Sequence, residues 1–219
     1  MLIVPKKIII IGAGGFGREV YRHLLDLQKV HREIEIEGFL DANLDALKGF
    51  SNVGKNIIGN TQLSQISIDG FYICAIGDVD IRENIYDKIK SMGGNFFTLI
   101  HPSVKISLSC SVGEGSIICP GAILTDNVKV GKNVIMNLNV MCGHDSEIDD
   151  HVVLSPMVNI NGTVIIRRKV FIGSSAVVTP GTHIGENCKV SAGSVVYKYW
   201  GENMLLHGNP AKKVKLLSQ

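Results

Sequence analysis

The sequence from residue 131 to residue 154 reads GKNVIM NLNVMC GHDSEI DDHVVL, four hexads that share one pattern. The same frame runs without a gap through sixteen hexads, from His101 to Val196. The sixth place is Ile, Leu, Val or Met in fifteen of them, with Cys142 as the exception, and the fourth place is always Val, Ala, Ser, Thr or Cys. Two places kept in phase over so long a stretch predict a solenoid of short structural repeats.

The direction of each side chain follows from the frame. Places four and six lie on the same side of an extended strand, because side chains alternate with a period of two. Both should point inward, which makes Cys110, Cys142 and Cys188 predicted core residues. The fifth place should point outward, as Lys105 and Lys129 do in this frame. The other places are rich in Gly, Asn, Asp, Ser and Pro, which favour turns.

A short strand every six residues, with turns between, predicts a prism-shaped parallel β-helix. The pattern resembles the hexapeptide-repeat left-handed parallel β-helix, in which about three hexads form one coil; this resemblance implies the handedness. Residues 18 apart should then stack on adjacent coils, roughly 4.8 Å apart. This places Gly162 over His144, and Ser155 over Asn137.

The first hundred residues follow a different pattern. KKIIII (6–11) predicts a buried strand, and a Gly-rich GAGGFG is followed by a helix-like segment over 18–30. Further strands (ending in EGFLDAN, then FYICAIG and NFFTLI) and a helix (DIRENIYDKIKSM) complete an alternating α/β order with a parallel sheet. The period changes near His101. We therefore predict a Rossmann-like domain over residues 1–100 and a β-helix domain with a C-terminal extension over residues 101–219.

The Gly-rich segment matches GxGxxG through Gly12, Gly14 and Gly17, and Asp41 ends the next strand where a ribose-binding carboxylate would be expected. Three interpretations remain open: an NAD site, a tight structural turn, or a site for a smaller phosphate-bearing ligand such as a nucleotide sugar. Some 100 residues leave little room for the second half of a dinucleotide fold, which disfavours NAD.

Bulk composition excludes several classes of protein. The chain has 219 residues, 45% hydrophobic and 19% charged, with a net charge of +2. Nothing here favours nucleic-acid binding, and no apolar run approaches the roughly 18 residues that span a membrane. Five cysteines without close pairs favour reduced thiols and a cytoplasmic location.

The two domains in this order resemble the NeuD/PglD-like sugar acetyltransferases over nearly the whole chain. The motifs that carry the resemblance are IIIIGAGGFGREV, FLDAN, AIGDVDIRENIY, LIHPSV, GHDSEIDDHVVLSPMVNINGTV, FIGSSAVV, SAGSVV and HGNPAKKV. The resemblance implies a homotrimer with acetyl-CoA as co-substrate, bound between neighbouring β-helices, and no metal. It also implies a nucleotide-linked amino sugar, predicted to be a 4-amino sugar, as acceptor in surface glycan biosynthesis.

The resemblance also assigns roles to individual residues. The catalytic histidine is His144, with Asp145 as the carboxylate that makes it a stronger base. Contacts with acetyl-CoA fall on a set spread along the β-helix: Asn137, Val153, Gly162, Ser174 and Ala192. Contacts with the nucleotide sugar fall on three loops of the first domain: Gly14, Gly15, Phe16, Asp41, Ala42 and Gly77.

Two positions depart from the family pattern. Some members have a second histidine near the thioester, nine residues after the catalytic one, where this chain has Val153. Some also have a histidine in the Gly-rich loop, where this chain has Phe16. Any polar contact that those histidines make must be replaced or absent here.

The chemistry of acyl transfer suits the residues of GHDSEIDDH. A base removes the acceptor proton and a backbone N–H, here that of Gly162, stabilises the oxyanion. We expect His151 and Glu147 to face solvent. Two alternatives remain: O-acetylation of a sialic acid or related sugar, and, more remotely, a γ-carbonic-anhydrase-like metal site that includes His144 and His151.

Overall fold

The computed structural model describes residues 6–61 and 70–217, and the chain divides into two compact units, Met1–Pro102 and Ser103–Gln219. The fold class predicted from the sequence is confirmed in both: an α/β unit is followed by a parallel β-solenoid. Neither described helix has the length and apolar character needed to cross a bilayer.

The first unit is a five-stranded parallel sheet in the order β3-β2-β1-β4-β5. Its strands and helices are β1 (Lys6–Ile11), α1 (Gly15–Gln28), β2 (Ile34–Leu40), β3 (Ile57–Gly59), β4 (Phe71–Cys74), α2 (Val79–Ser91), β5 (Asn95–Phe96) and β6 (Leu99–Ile100). Helix α1 begins inside the Gly-rich segment, earlier than predicted. The short strand β3 was not predicted, and NFFTLI forms two short strands.

Helix α2 is held at both ends by its own sequence. Asp78 caps the N-terminus by accepting hydrogen bonds from the N–H groups of Asp80 and Ile81, both at 3.0 Å. From the first turn, Arg82 reaches inward and is fully buried, and its guanidinium donates to the carbonyls of Cys74 and Ile76. The carboxyl end of β4 is thereby tied to the start of α2.

The second unit consists of two-residue strands that repeat every six residues and stack into three parallel sheets, which we call faces A, B and C. Face A contains β7 (Lys105–Ile106), β10 (Ile123–Leu124), β13 (Met141–Cys142), β16 (Asn159–Ile160), β19 (Val177–Val178) and β22 (Val195–Val196). Face B contains β8 (Ser111–Val112), β11 (Lys129–Val130), β14 (Glu147–Ile148), β17 (Ile165–Ile166), β20 (His183–Ile184) and β23 (Tyr199–Trp200). Face C contains β9 (Ile117–Ile118), β12 (Ile135–Met136), β15 (Val153–Leu154), β18 (Phe171–Ile172), β21 (Lys189–Val190), β24 (Met204–Gly208) and β25 (Ala211–Leu216).

Strands on successive coils pair with a register of 18 residues. Ile123 lies beside Met141, and Met141 lies beside Asn159. The backbone closes this register, because the N–H of Ile123 donates to the carbonyl of Val140 at 2.9 Å. The predicted stacking distance along the sequence is therefore confirmed.

Inward places four and six form the core of the solenoid. The aliphatic sixth-place side chains of Ile148, Ile166 and Ile172 are buried. Small polar residues at the fourth place are also buried, and they bond between coils. The Ser146 hydroxyl donates to the Asn161 carbonyl at 2.9 Å and accepts from the Val164 N–H at 3.2 Å.

The third place of each hexad has a left-handed backbone from Gly115 to Gly193. Asn, Asp and Gly adopt this conformation at the least steric cost, and they fill many of these places. The N–H at this corner donates to the previous coil, as Asp145 does to the carbonyl of Asp126 at 3.0 Å. The sequence pattern predicts turns here, but it does not indicate that every third place adopts the same conformation.

The expectation that fifth places face solvent is wrong on face C. Ile117, Ile135 and Val153 occupy outward places there, yet they are at most 4% exposed. Their apolar character is the signal: the corresponding places on face B include Lys129 and Glu147. Outward direction on a strand therefore does not by itself imply contact with water, because an outer face can be covered as well.

We predict that Ile166→Ala lowers the free energy of unfolding by about 2–5 kcal/mol, because it leaves a cavity in the core. Ile165→Ala is the matched control, since Ile165 is the outward, partly exposed neighbour on the same strand. It should cost less than half as much. Urea denaturation followed by circular dichroism measures both, and equal losses would contradict the inward and outward assignment.

Candidate active site

His144 and Asp145 lie on the corner that follows β13, where faces A and B meet. The His144 Nδ1 is 2.9 Å from the Asp145 Oδ2, and about two-thirds of the imidazole side chain (64%) is exposed. A carboxylate can only accept a hydrogen bond, so Nδ1 carries the proton in this pair. The other ring nitrogen, Nε2, is thus left with a lone pair that can accept a proton.

Gly162 stacks directly over this imidazole, as the 18-residue register predicts. A Cβ atom built on Gly162 would lie 2.5 Å from the His144 Nε2, so no larger residue fits without moving the ring. Within the described part of the chain, the N–H of Gly162 donates no hydrogen bond to the protein. A free backbone donor therefore lies beside the basic nitrogen.

The Asp145 carboxylate is held from two sides. Its Oδ1 accepts a hydrogen bond from the Asn127 Nδ2 at 2.8 Å, while its Oδ2 meets His144. The hydrogen bond from Asn127, followed by that from His144, lowers the pKa of Asp145 below its usual value. Asp145 consequently stays ionised at neutral pH and keeps its lone pairs available to the imidazole.

His151 does not face solvent, contrary to expectation. It is 2% exposed, and its Nδ1 lies 2.9 Å from the Asn133 Nδ2 on the coil below. The cause is the left-handed third place, where side chains of successive coils stack along the corner. Glu147 is partly exposed and pairs with Lys129 at 2.9 Å.

His144 and His151 lie on different corners, at the two ends of β14. Among residues 6–61 and 70–217, no group of three or more His, Cys, Asp or Glu side chains is placed to hold a metal ion. Cys142, close to His144 in sequence, points into the core, and burial raises the pKa of its thiol to about 12.

The residues assigned to acetyl-CoA do not form one cluster within a single chain. Gly162 lies with His144, but Asn137 lies at the opposite end of β13, on the corner between faces C and A. Ser174 and Ala192 follow β18 and β21 and lie on that same second corner, 18 residues apart. Val153 lies in β15 and is nearly buried. The solenoid therefore presents two columns of assigned residues, one on each side of face A.

The Gly-rich loop of the first unit has three glycines with distinct physical requirements. Gly12 has a left-handed φ of 95°, and a side chain on Gly17 would collide with the Gly12 carbonyl, which brings α1 close to β1. Gly14 and Gly15 are exposed, and open space lies where their Cβ atoms would be. The first turn of α1 contains no acidic residue, so its N-terminus can accept an anion.

The loops after β1, β2 and β4 all leave the same edge of the parallel sheet, and they carry the residues assigned to the nucleotide sugar. Gly77, which follows β4, is exposed with open space around it, and Phe16 is partly buried. The Asp41 carboxylate accepts from the N–H groups of Ala13 at 2.7 Å and Asn43 at 2.8 Å, while Ala42 between them is exposed. Because the sheet reverses its strand order between β1 and β4, a crevice for a ligand is expected there.

Comparison with known protein families matches both units. Residues 7–89 match the PglD N-terminal domain, and residues 163–198 match the bacterial transferase hexapeptide repeats. Along the whole chain, the GDP-perosamine N-acetyltransferase of Escherichia coli O157:H7 is 29% identical over 212 residues, which cover 94% of this chain and 95% of that one. This chain belongs to the PglD-like acetyltransferases of the hexapeptide-repeat class.

Solved structures agree with that assignment to the PglD-like family. The acetyltransferase domain of PglB from Neisseria gonorrhoeae FA1090, in complex with acetyl coenzyme A, has a TM-score of 0.86 at 29% identity and covers 96% of this chain and all (100%) of that one. PerB from Caulobacter crescentus, in complex with CoA and GDP-perosamine, has a TM-score of 0.84 at 27% identity and covers 95% and 97%.

Sequence reasoning missed Asn127 in this PglD-like chain. The signal was present, because Asn127 occupies the third place of its hexad, 18 residues before Asp145. The stacking rule that placed Gly162 over His144 also places Asn127 under Asp145. Applied to each residue of the corner in both directions along the chain, it would have identified this contact.

We predict that Gly162→Ala displaces the His144 ring by about 1 Å, since non-bonded carbon and nitrogen atoms prefer separations near 3.5 Å. The change should appear in a crystal structure and in the ring C–H chemical shifts of His144. Gly201→Ala is the control, because its new methyl would meet only the flexible end of Met204, at 3.3 Å. An unmoved ring in Gly162→Ala would contradict the stacked arrangement.

Proposed function

We propose that this protein transfers the acetyl group of acetyl-CoA to the amino group of a nucleotide-linked amino sugar, predicted to be a 4-amino sugar, in glycan biosynthesis. The observation that carries the proposal is the corner of the solenoid where the His144 Nε2 is free and the unbonded N–H of Gly162 lies beside it. The relatives named for N-acetylation of GDP-perosamine match nearly the full chain, which supports the same class of acceptor.

Each step of the reaction has a group that can perform it. The acceptor nitrogen attacks the thioester carbonyl carbon while the His144 Nε2 removes a proton from that nitrogen. The Gly162 N–H stabilises the oxyanion of the tetrahedral intermediate. When the C–S bond breaks, the protonated imidazole returns the proton to the departing sulfur, and CoA leaves as a thiol. Asp145 stabilises the imidazolium while it exists.

The nucleotide is assigned to the first unit. Gly14, Gly15 and Gly77 leave open space at the carboxyl edge of the sheet, and the N-terminus of α1 favours negatively charged phosphates. Asp41 organises this loop through the N–H of Ala13, so its contact with the sugar nucleotide uses the lone pairs that remain.

The test is an assay of CoA release with amino sugars linked to GDP, UDP and dTDP. We predict that His144→Ala lowers kcat by about 100-fold or more, the usual contribution of a general base. His183→Ala is the matched control, a histidine on the same solenoid that stacks on Tyr199. Wild-type protein that releases no CoA with any amino sugar, or an unimpaired His144→Ala, would refute the proposal. Turnover of free sialic acids alone would indicate O-acetylation.

We further propose a homotrimer in which each acetyl-CoA site is built from two copies of the chain. The two columns of assigned residues support this arrangement, because His144 and Gly162 lie on one corner while Ser174 and Ala192 lie on another. A neighbouring solenoid related by rotational symmetry can bring its second corner to the first corner of its partner.

Subunit mixing tests the shared site. His144→Ala removes the base from one column, and Ser174→Trp fills the exposed position of the other. Each variant alone should be inactive, but co-expression should restore activity in about a quarter of the sites, since two copies combine at random. No recovery in trimers verified to contain both chains would show that each chain builds its own site.

A further inference from the structure

We propose that Asn127 is a positioning residue for His144, acting through the Asp145 carboxylate. This inference rests on the proposed function, in which His144 is the general base. It concerns a residue on the coil below the histidine, 18 residues before Asp145, whose side chain reaches up to the carboxylate and has no contact with the imidazole itself.

The hydrogen bonds define the orientation of each group in turn. The Asn127 side chain must donate through Nδ2, because the carboxylate it meets can only accept. This bond, at 2.8 Å, occupies the Asp145 Oδ1 and fixes the plane of the carboxylate. The Oδ2 is then directed at the His144 Nδ1 at 2.9 Å. Rotation of the carboxylate would break both contacts together.

Asn127 is itself anchored. Its N–H donates to the Ser109 Oγ at 2.9 Å, and that hydroxyl donates to the Asp126 Oδ1 at 2.5 Å. The backbone of Asn127 is left-handed, with a φ of 50°, a conformation that asparagine tolerates well. A column of polar groups thus extends over three coils and ends at the imidazole.

The exposure of the pair explains why such a support is needed. Asp145 is about half exposed (51%) and His144 more so (64%), so neither side chain is fixed by surrounding core atoms. An exposed ion pair usually contributes little, because both side chains retain alternative rotamers. The donor on Asn127 restricts those alternatives on the carboxylate side, which keeps the proton on Nδ1 and the lone pair on Nε2.

A purely structural role for Asn127 predicts different behaviour. Asn187 provides the comparison, because it also occupies a left-handed third place, with a φ of 56°, and donates to the next coil, here to the Asn203 Oδ1 at 2.7 Å. It lies on another corner and meets no histidine pair. If corner asparagines only hold coils together, changes at positions 127 and 187 should have the same effects.

The test compares Asn127→Gly with Asn187→Gly. Glycine fits this backbone conformation and already occupies third places such as Gly121 and Gly181, so both variants should fold. We expect Asn127→Gly to lower kcat about tenfold with little change in KM for acetyl-CoA, as loss of an outer hydrogen-bond partner of a reactive histidine does. Asn187→Gly should leave kcat unchanged.

Two further readouts report on the imidazole directly. Nitrogen-15 NMR of histidine-labelled protein should show that His144 loses its preference for the Nδ1–H tautomer in Asn127→Gly but keeps it in Asn187→Gly. In Asn127→Asp, the two carboxylates repel at neutral pH and activity falls. Its activity relative to wild type should rise as the pH is lowered, because a protonated carboxyl again donates to Asp145.

The outcomes separate this inference from the function on which it rests. An unimpaired His144→Ala would overturn the proposed function and this role with it. An inactive His144→Ala together with wild-type kcat and tautomer in Asn127→Gly would overturn only the positioning role. Equal losses of kcat in Asn127→Gly and Asn187→Gly would also overturn it.

Discussion

The 18-residue register between coils is the constraint on which the rest of the structure depends. Parallel backbone hydrogen bonds, such as that from Ile123 to Val140, fix each strand against the one a coil below. Because every face repeats this register, a residue at a given place always lies above the residue 18 positions earlier. The position of a side chain in space is therefore almost a direct function of its number in the sequence.

The candidate site is a consequence of that register at one corner. Asn127, Asp145 and Thr163 occupy the same place on three successive coils, and His144 and Gly162 occupy the place before it on two. The absence of a side chain on Gly162 leaves room for the imidazole, while the amide of Asn127 supports the carboxylate beneath it. The corner thus combines a base, its partner and a free backbone donor without any long loop.

The first unit follows a different logic, in which chemistry collects at the carboxyl edge of a parallel sheet. Buried strands such as β1 and β4 deliver Gly14 and Gly77 to neighbouring loops, and Asp41 ties the loop after β1 to the one after β2. The buried Arg82 supports this edge from beneath by donating to the carbonyls of Cys74 and Ile76. Neither Arg82 nor the short strand β3 announces its role in the sequence, since both depend on packing between distant segments.

The sequence by itself determined the order of the two units, the inward side chains of the solenoid and the stacking of Gly162 over His144, because a fixed period translates directly into geometry. Only the tertiary structure decided which outward places are covered and how the corners bond. Val153 is buried although it points outward, and His151 is buried although it lies on a turn. Burial of this kind depends on what packs against a face or stacks along a corner, and the six-residue period carries no information about those neighbours.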